Sequence, residues 1–172
     1  IFVKRDDLTG MALSGNKVRK LEFCLGEALD LGAKRVITCG ALQSNHCRAT
    51  AVACAQLGLE CVLYLRTEEM QPRAGGNLLL NLLAGAEVRY VTPLEYRALG
   101  PSDEGYWIPE GASNEVGLWG YRAAGEELRE RRFDALYHAV GSGGTTAGLI
   151  AARIETPLVG VCVCDDSDFF HG

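Results

Sequence analysis

The sequence predicts an α/β protein whose helices flank open, mostly parallel β-sheets. Short apolar runs rich in β-branched residues alternate with helical patterns along the 172-residue chain, and this alternation is typical of parallel sheets covered by helices. Glycine directly follows several helical patterns, at Gly32, Gly58 and Gly85, where helices commonly end. The 48% of hydrophobic residues suffice for a buried core, in one domain or in two small ones.

The predicted elements follow one another in a regular order. Ile1-Phe2-Val3 opens the chain as an apolar run and predicts a strand. The other predicted strands are short apolar runs at 36–39, 61–65, 87–91, 106–108, 135–140 and 158–163. The predicted helices are the segments between them, at 18–31, 45–57, 77–84, 115–130 and 145–153.

Charge and cysteine content exclude several classes of protein. The 17 basic and 22 acidic residues give a net charge of -5 without a basic cluster, so we expect no nucleic-acid partner. No apolar run reaches the roughly 20 residues that span a bilayer, so we expect no membrane association. The seven cysteines stand at irregular spacing without a C-x-x-C pair, which favours reduced thiols in the cytoplasm over disulfides or zinc. The histidines lie too far apart in the sequence to suggest a metal site.

Ligands of open parallel sheets bind beyond the carboxyl ends of the strands, and the loops there carry the candidate site. Lys17 follows Ser14-Gly15-Asn16 and begins a predicted helix. The helix dipole disfavours a positive charge at that end, which would help the amine to act as a nucleophile or base. An ordinary surface lysine is the competing interpretation. Arg19 and Lys20 compete with Lys17 for the same role.

Two further loops join a strand to a helix. In the loop from Gly40 to Asn45, Ser44 or Asn45 is a natural helix N-cap. The same helix start could instead present N–H groups and polar side chains to an anionic ligand. The loop from Pro109 to Asn114 has the same two interpretations, as a cap or as lining on the substrate side of a site.

A glycine-rich loop follows the strand that ends at Val140. It reads Gly141-Ser142-Gly143-Gly144-Thr145-Thr146. Glycines allow close approach to a ligand, and successive N–H groups form a nest for an anion. The loop lacks the lysine of a Walker A motif, and Thr146 replaces the third glycine of a dinucleotide-binding motif. It therefore predicts a phosphate site that fits neither ATP nor NAD, with a plain tight turn as the alternative.

The most specific signal is a set of blocks that occur together: Lys4-Arg5-Asp6-Asp7-Leu8, then Gly15-Asn16-Lys17-Val18-Arg19-Lys20-Leu21-Glu22, then Gln43-Ser44-Asn45-His46-Cys47-Arg48. With these blocks the chain resembles the D-cysteine desulfhydrase and 1-aminocyclopropane-1-carboxylate (ACC) deaminase family, from Ile1 to about Asp166. These are fold-type II enzymes that depend on pyridoxal 5′-phosphate (PLP) and are related to the tryptophan synthase β subunit. The resemblance implies two open, mostly parallel sheets flanked by helices.

The resemblance also assigns roles to residues. It implies that Lys17 is the Schiff-base lysine and general base, and that Ser44 lies near the substrate carboxylate and reacting carbon. Asn45 matches the asparagine beside the 3′-oxygen of PLP. The cofactor phosphate is expected in the loop formed by Gly141, Ser142, Gly143, Gly144 and Thr145.

The resemblance further implies a homodimer and a division into two domains. Residues 1–31 with 123–172 are expected to form part of a larger PLP domain, and 32–122 a smaller domain. The chain lacks an initiator methionine, so we expect a piece of a longer protein, with the partner of the pyridine nitrogen and a substrate-facing tyrosine outside it. The segments between Tyr96 and Trp107 and between Ala152 and Leu158 look short against the family pattern.

The substrate implied is a small amino acid. His46-Cys47 looks more like desulfhydrase-type members than like the deaminase type, which tends to have Gln-Thr there. This favours D-cysteine, cleaved to pyruvate, sulfide and ammonia, with ACC as the alternative. A catalytically inactive relative, a dinucleotide-binding module and thiol catalysis by Cys47 are the competing hypotheses; neighbouring residues on a helix do not face each other, which disfavours the last.

Overall fold

The computed structural model describes residues 1–10, 12–69 and 71–163. Its strands are β1 (Arg35–Ala41), β2 (Glu60–Arg66), β3 (Glu87–Val91), β4 (Tyr106–Ile108), β5 (Leu136–Val140) and β6 (Leu158–Cys162). Its α-helices are α1 (Asn16–Asp30), α2 (Asn45–Leu57), α3 (Gly76–Leu83), α4 (Pro93–Arg97), α5 (Glu115–Leu128) and α6 (Gly144–Ala151). Short 3₁₀-helices span Asp6–Leu8 and Glu110–Ala112. Cys164 and the last part of the resemblance, 164–166, lie outside the described residues.

The strands form two parallel sheets. One has four strands in the order β3-β2-β1-β4, and the other pairs β5 with β6. Every pair of neighbouring strands in both sheets is parallel, and helices α1, α2, α3, α5 and α6 connect or flank them. The predicted α/β class with parallel sheets and flanking helices is therefore confirmed.

The predicted strand at the start of the chain is wrong. Residues 1–5 have no regular secondary structure, and a 3₁₀-helix follows them. The side chains of Ile1, Phe2 and Val3 are exposed, and this segment pairs with no described strand. Apolar, β-branched residues form a strand only where a neighbouring strand satisfies their backbone groups, and none lies beside this segment in the described residues.

The sheets lie on either side of the predicted domain boundary. Strands β1 to β4 fall within 32–122, whereas β5 and β6 fall within 123–163. Helix α5 runs without interruption across residues 122 and 123. The division into domains stays a prediction, with a continuous helix at its boundary.

Helix α5 packs between α1 and α6, and glycines allow this close packing. A Cβ atom at Gly120 of α5 would lie 2.0 Å from the backbone oxygen of Arg19 in α1. A Cβ atom at Gly148 of α6 would lie 2.4 Å from the Cβ of Tyr121 in α5. Because neither contact tolerates a side chain, these glycines let the three helices approach one another. The packing brings the first turns of α1 and α6 to the same cavity.

Candidate active site

A cavity of about 840 Å³ lies beyond the carboxyl ends of β1, β2, β4, β5 and β6. This is the edge at which open parallel sheets bind ligands. The cavity brings together residues from separate loops, and most of the residues predicted for the site line it: Lys17, Ser44, Asn45, Gly141, Ser142, Gly143 and Thr145.

Lys17 is the second residue of α1 and lines the cavity. It is half-buried, which disfavours the interpretation as an ordinary surface lysine. The segment before it is held from α2 by the largely buried guanidinium of Arg48, which donates to the backbone oxygens of Ala12 and of Ser14, the latter at 3.3 Å. Gly15 adopts a φ of 91° at the N-cap, a conformation that favours glycine. The start of α1 is thereby fixed at the cavity.

Arg19, one competitor of Lys17, serves a structural ion-pair network. Its guanidinium contacts the carboxylate of Asp6 at 2.9 Å and that of Glu127 at 2.7 Å. The hydrogen bond to Glu127 raises the pKa of Arg19 above its ordinary value. The network fastens α1 to α5 and to the preceding 3₁₀-helix, so Arg19 stays charged and its guanidinium is engaged there.

Lys20, the other competitor, belongs to the site. It is 1% exposed, and its Nζ donates to the backbone oxygen of Gly111 at 3.1 Å and lies 3.4 Å from Ser113 Oγ. Burial, and then the neighbouring charge of Lys17, lower the pKa of Lys20 to about 8. A Cβ atom at Gly144 would lie 2.7 Å from this Nζ. The amine therefore lies directly beneath the glycine loop.

Lys20 was considered only as a competitor of Lys17 for the role of nucleophile or base; its place beneath the glycine loop was not predicted, although a signal was present. Lys17 and Lys20 are three residues apart in α1, and residues at that spacing lie on the same face of a helix. A lysine one turn after a candidate catalytic lysine therefore points toward the same ligand.

Ser44 and Asn45 combine capping with a position at the cavity. Ser44 Oγ accepts from the N–H of Cys47 at 3.2 Å, which confirms the N-cap interpretation and leaves the hydroxyl hydrogen to donate elsewhere. Asn45 Oδ1 accepts from Asn77 Nδ2 at 3.0 Å and from Arg48 Nη2 at 3.5 Å. This arrangement makes the amide nitrogen the end with which Asn45 can donate to a ligand.

The glycine loop joins β5 to α6 as predicted. Gly143 adopts a left-handed φ of 77° at the N-cap, and α6 begins at Gly144. The first N–H groups of a helix have no partner inside the helix, so they can bind an anion. The hydroxyl of Thr146 is buried at the cavity without a hydrogen-bond partner in the described residues. These groups and the Lys20 amine fit the phosphate of PLP.

The loop before α5 forms the facing wall. Asn114 caps α5 by accepting from the N–H of Gly117 at 2.8 Å, so the capping interpretation holds for this residue. Glu110 and Gly111 line the cavity, so the lining interpretation holds for them. The hydroxyl of Ser113 lies 2.5 Å from that of Ser142 and joins this loop to the glycine loop.

The neighbouring Cys47 does not fit thiol catalysis. Its side chain is 0% exposed, and burial raises the pKa of the thiol to about 12. Since the thiolate is the nucleophilic form, Cys47 acts as a core residue. His46 directs Nε2 to Thr38 Oγ1 at 2.7 Å, away from Cys47.

In the described ranges, no cluster of three or more His, Cys, Asp or Glu side chains is suited to a metal ion. Within the same ranges, no helix combines the length and apolar character needed to cross a bilayer. The described cysteines, at positions 24, 39, 47, 54, 61 and 162, form no disulfide with one another.

Comparison with known families decides the class. The family described as pyridoxal-phosphate dependent enzyme matches residues 1–171. The chain belongs to this family. The predicted cofactor, PLP, is therefore confirmed, and the dinucleotide-binding hypothesis is wrong, as the Thr146 departure from its glycine motif indicates.

Similar proteins carry both of the names in the resemblance, ACC deaminase and D-cysteine desulfhydrase. A Thermotoga maritima protein provisionally named ACC deaminase is 47% identical and aligns with all of this chain and 61% of its own length. The Arabidopsis thaliana bifunctional D-cysteine desulfhydrase/ACC deaminase is 42% identical over 99% of this chain and 50% of its own length. A Serratia proteamaculans D-cysteine desulfhydrase is 40% identical over 95% of this chain. The resemblance to this PLP-dependent family is thus confirmed.

The fold agrees with solved structures of the family. The crystal structure of an ACC deaminase homologue matches 92% of this chain and 54% of its own, with a TM-score of 0.76 and 37% identity. A threonine deaminase matches 84% of this chain with a TM-score of 0.64 and 25% identity. The fold-type II prediction is confirmed. The chain spans 50–61% of the length of the two most similar curated relatives described above.

Proposed function

We propose that the protein is a PLP-dependent lyase that acts on a small amino acid, with D-cysteine as the preferred substrate. The observation that carries this proposal is the convergence of Lys17, Ser44, Asn45 and the glycine loop on one cavity, in a chain from a PLP-dependent family. In the net reaction, D-cysteine and water give pyruvate, sulfide and ammonia. The Cα–H, Cβ–S and Cα–N bonds break, Cβ gains a proton to become the methyl group of pyruvate, and water supplies the new carbonyl oxygen.

The residues around the glycine loop would hold the phosphate of PLP. The first N–H groups of α6, the buried hydroxyl of Thr146 and the ammonium of Lys20 are donors on one side of the cavity. The amide nitrogen of Asn45 would donate to the 3′-oxygen. When bound, PLP supplies an electron sink that stabilises negative charge at the substrate Cα.

Lys17 and Ser44 would act on the substrate itself. The Lys17 amine is the group that would carry PLP and, once released by the entering substrate, remove the proton from Cα. The hydroxyl of Ser44, whose oxygen already accepts from Cys47 N–H, would donate its hydrogen to the substrate carboxylate. Orientation of the carboxylate by Ser44 would align the Cα–H bond with the amine.

Reduction with borohydride tests the assignment of Lys17. The full-length protein is incubated with PLP, reduced, digested, and the labelled peptide is mapped by mass spectrometry. We expect the label on Lys17, and its loss in a Lys17→Arg variant. Label on Lys20, or none at all, would contradict the proposal and favour an inactive relative of the family.

Substrate choice is tested by comparing products. D-cysteine, L-cysteine and ACC are supplied in parallel, with pyruvate measured for the cysteines and 2-oxobutyrate for ACC. We expect the highest kcat/KM with D-cysteine, because His46-Cys47 follows Ser44-Asn45 in this chain. Faster turnover of ACC would instead establish the deaminase alternative, which the names of several relatives favour.

We also propose that the protein works as a homodimer in the cytoplasm. The family resemblance supports the dimer, and the cysteines without disulfides among the described residues are compatible with a reducing compartment. Sedimentation equilibrium of the full-length protein tests the assembly, and a monomer at working concentration would contradict it.

A further inference from the structure

His46 is a buried residue of the cavity wall, and one of its ring nitrogens has no hydrogen-bond partner among the described residues. The side chain is 2% exposed and lines the cavity. Its Nε2 lies 2.7 Å from Thr38 Oγ1. Its Nδ1 is buried and has no hydrogen-bond partner among the residues that the structure describes. A buried polar atom without a partner is costly, so its presence beside a ligand cavity indicates a function.

The hydrogen bonds of Thr38 fix the tautomer of this histidine. Thr38 Oγ1 donates its one hydrogen to the backbone oxygen of Ile108 at 2.7 Å, because a carbonyl oxygen can only accept. The contact with His46 must then run the other way, so Nε2 carries the hydrogen and donates to Thr38. In a neutral ring the other nitrogen is a bare acceptor. Nδ1 therefore presents a lone pair.

The ring also stays neutral, because it is buried and because two lysines lie near it. Burial, then the charge of Lys17 and then that of Lys20, lower the pKa of His46 to about 3. The imidazole is consequently a poor base at neutral pH but remains a good hydrogen-bond acceptor. The two neighbouring amines are the donors to which its lone pair is best suited.

We propose that Nδ1 of His46 accepts a hydrogen bond from the amine of Lys17 and positions that amine for proton transfer at the substrate Cα. Lys17 is favoured over Lys20, because Lys17 lines the cavity with His46 and its charge acts on the ring more strongly than that of Lys20. The proposal rests on the lyase function proposed above. His46 is a positioning residue: it stabilises the ammonium that Lys17 becomes when it takes up the proton, without competing for that proton.

Two substitutions separate this role from a purely structural one. Gln at position 46 places its amide near the position of Nε2 and can keep the bond to Thr38, but it lacks an acceptor at Nδ1. Asn places its amide near Nδ1 and keeps that acceptor, but it loses the bond to Thr38. If His46 is only structural, the variant His46→Gln should behave more like the wild type than His46→Asn does. If His46 positions Lys17, the variant His46→Asn should behave more like the wild type.

The readout is the pH dependence of Lys17 modification in the full-length apoprotein. The rate of trinitrophenylation at Lys17 is followed by mass spectrometry as a function of pH. The pH at which the modification rate is half-maximal follows the pKa of the Lys17 amine. Because a hydrogen bond to Nδ1 stabilises the ammonium, this midpoint should fall by about one pH unit in His46→Gln and stay near the wild-type value in His46→Asn. An unchanged midpoint in His46→Gln, or an equal fall in both variants, would overturn the proposal.

A measurement on the native histidine covers the case in which a variant at position 46 does not fold. In the ¹⁵N spectrum of the apoprotein, Nδ1 of His46 should be unprotonated and should shift in a Lys17→Met variant, which removes the donor. A protonated Nδ1, or no shift, overturns the inference. Both measurements use the apoprotein and do not depend on lyase activity. If the wild-type protein shows no lyase activity, the proposed function is refuted, but the result of these two measurements is unchanged.

Discussion

A methyl group on Gly144 would test whether the Lys20 amine supports phosphate binding. The Cβ atom of Gly144→Ala would lie 2.7 Å from Lys20 Nζ and 2.7 Å from Ser113 Oγ. Because the lysine chain is flexible, the amine rather than the backbone should move. It would then lose its hydrogen bond to Gly111, which measures 3.1 Å. Gly144 is the first residue of α6, so alanine suits its backbone conformation.

The expected effect follows from the displaced charge. A hydrogen bond to a charged group contributes about 1.5–3 kcal/mol, and about 1.4 kcal/mol corresponds to a tenfold change in affinity. Gly144→Ala should therefore weaken PLP affinity by roughly 10- to 100-fold. The assay is a titration of the full-length apoprotein with PLP, followed by the visible absorbance of the bound cofactor.

Gly26→Ala is the matched control. Gly26 lies inside α1, and a Cβ atom there would contact nothing within 4 Å. Alanine should raise the free energy of unfolding by roughly 0.5–1 kcal/mol through helix propensity and leave PLP affinity unchanged. If Gly144→Ala bound PLP as tightly as Gly26→Ala, the assignment of Lys20 to the phosphate would be refuted.

Other predictions concern stability and reactivity. Gly120→Ala should lower the free energy of unfolding in urea by about 1–3 kcal/mol or more, because its Cβ would lie 2.0 Å from the Arg19 backbone oxygen; wild-type stability would contradict the close helix packing. Iodoacetamide at neutral pH should label the exposed Cys162 in the folded protein and Cys47 only after unfolding, and early labelling of Cys47 would count against its burial. Hydrogen bonding to Arg19 lowers the pKa of Glu127 to about 2, below the unfolded value of about 4.3. Its carboxylate therefore stabilises the fold above the unfolded pKa and loses this effect as the pH falls toward 2. Urea unfolding should thus show Glu127→Gln less stable than wild type at neutral pH and equal to it near pH 2; a difference that persists in acid would disprove the linkage.

Local signals made much of the fold predictable. The bounds of α2 match the prediction because Ser44 is a strong N-cap and Gly58 a left-handed stop with a φ of 69°. Helix α4 was missed although Thr92 and Glu95 form a capping box around Pro93, which is a recognisable helix start. The prediction of a strand at Ile1 was wrong because a strand depends on a partner strand, which the local sequence does not specify.

The candidate site was predictable where a sequence motif lies in a loop between a strand and a helix. The positions of Ser44 and the glycine loop at one cavity follow from strand ends that meet at one edge of the sheets, whereas Lys17 reaches the cavity from the first turn of α1. His46 and Arg66 also line the cavity and were not predicted to do so. Their places depend on how α2 packs on β1 and on where β2 ends, which are properties of the assembled fold.

Two lysine amines that lie one turn apart in α1 can react with the same aldehyde. An aldehyde that enters the cavity meets Lys17 and also Lys20, whose pKa of about 8 makes it an unusually good nucleophile for a lysine. Lys20 is restrained by the carbonyl of Gly111 and covered by Gly144. Under the proposed assignment of Lys17, this restraint of the Lys20 amine would direct covalent loading by the aldehyde to Lys17.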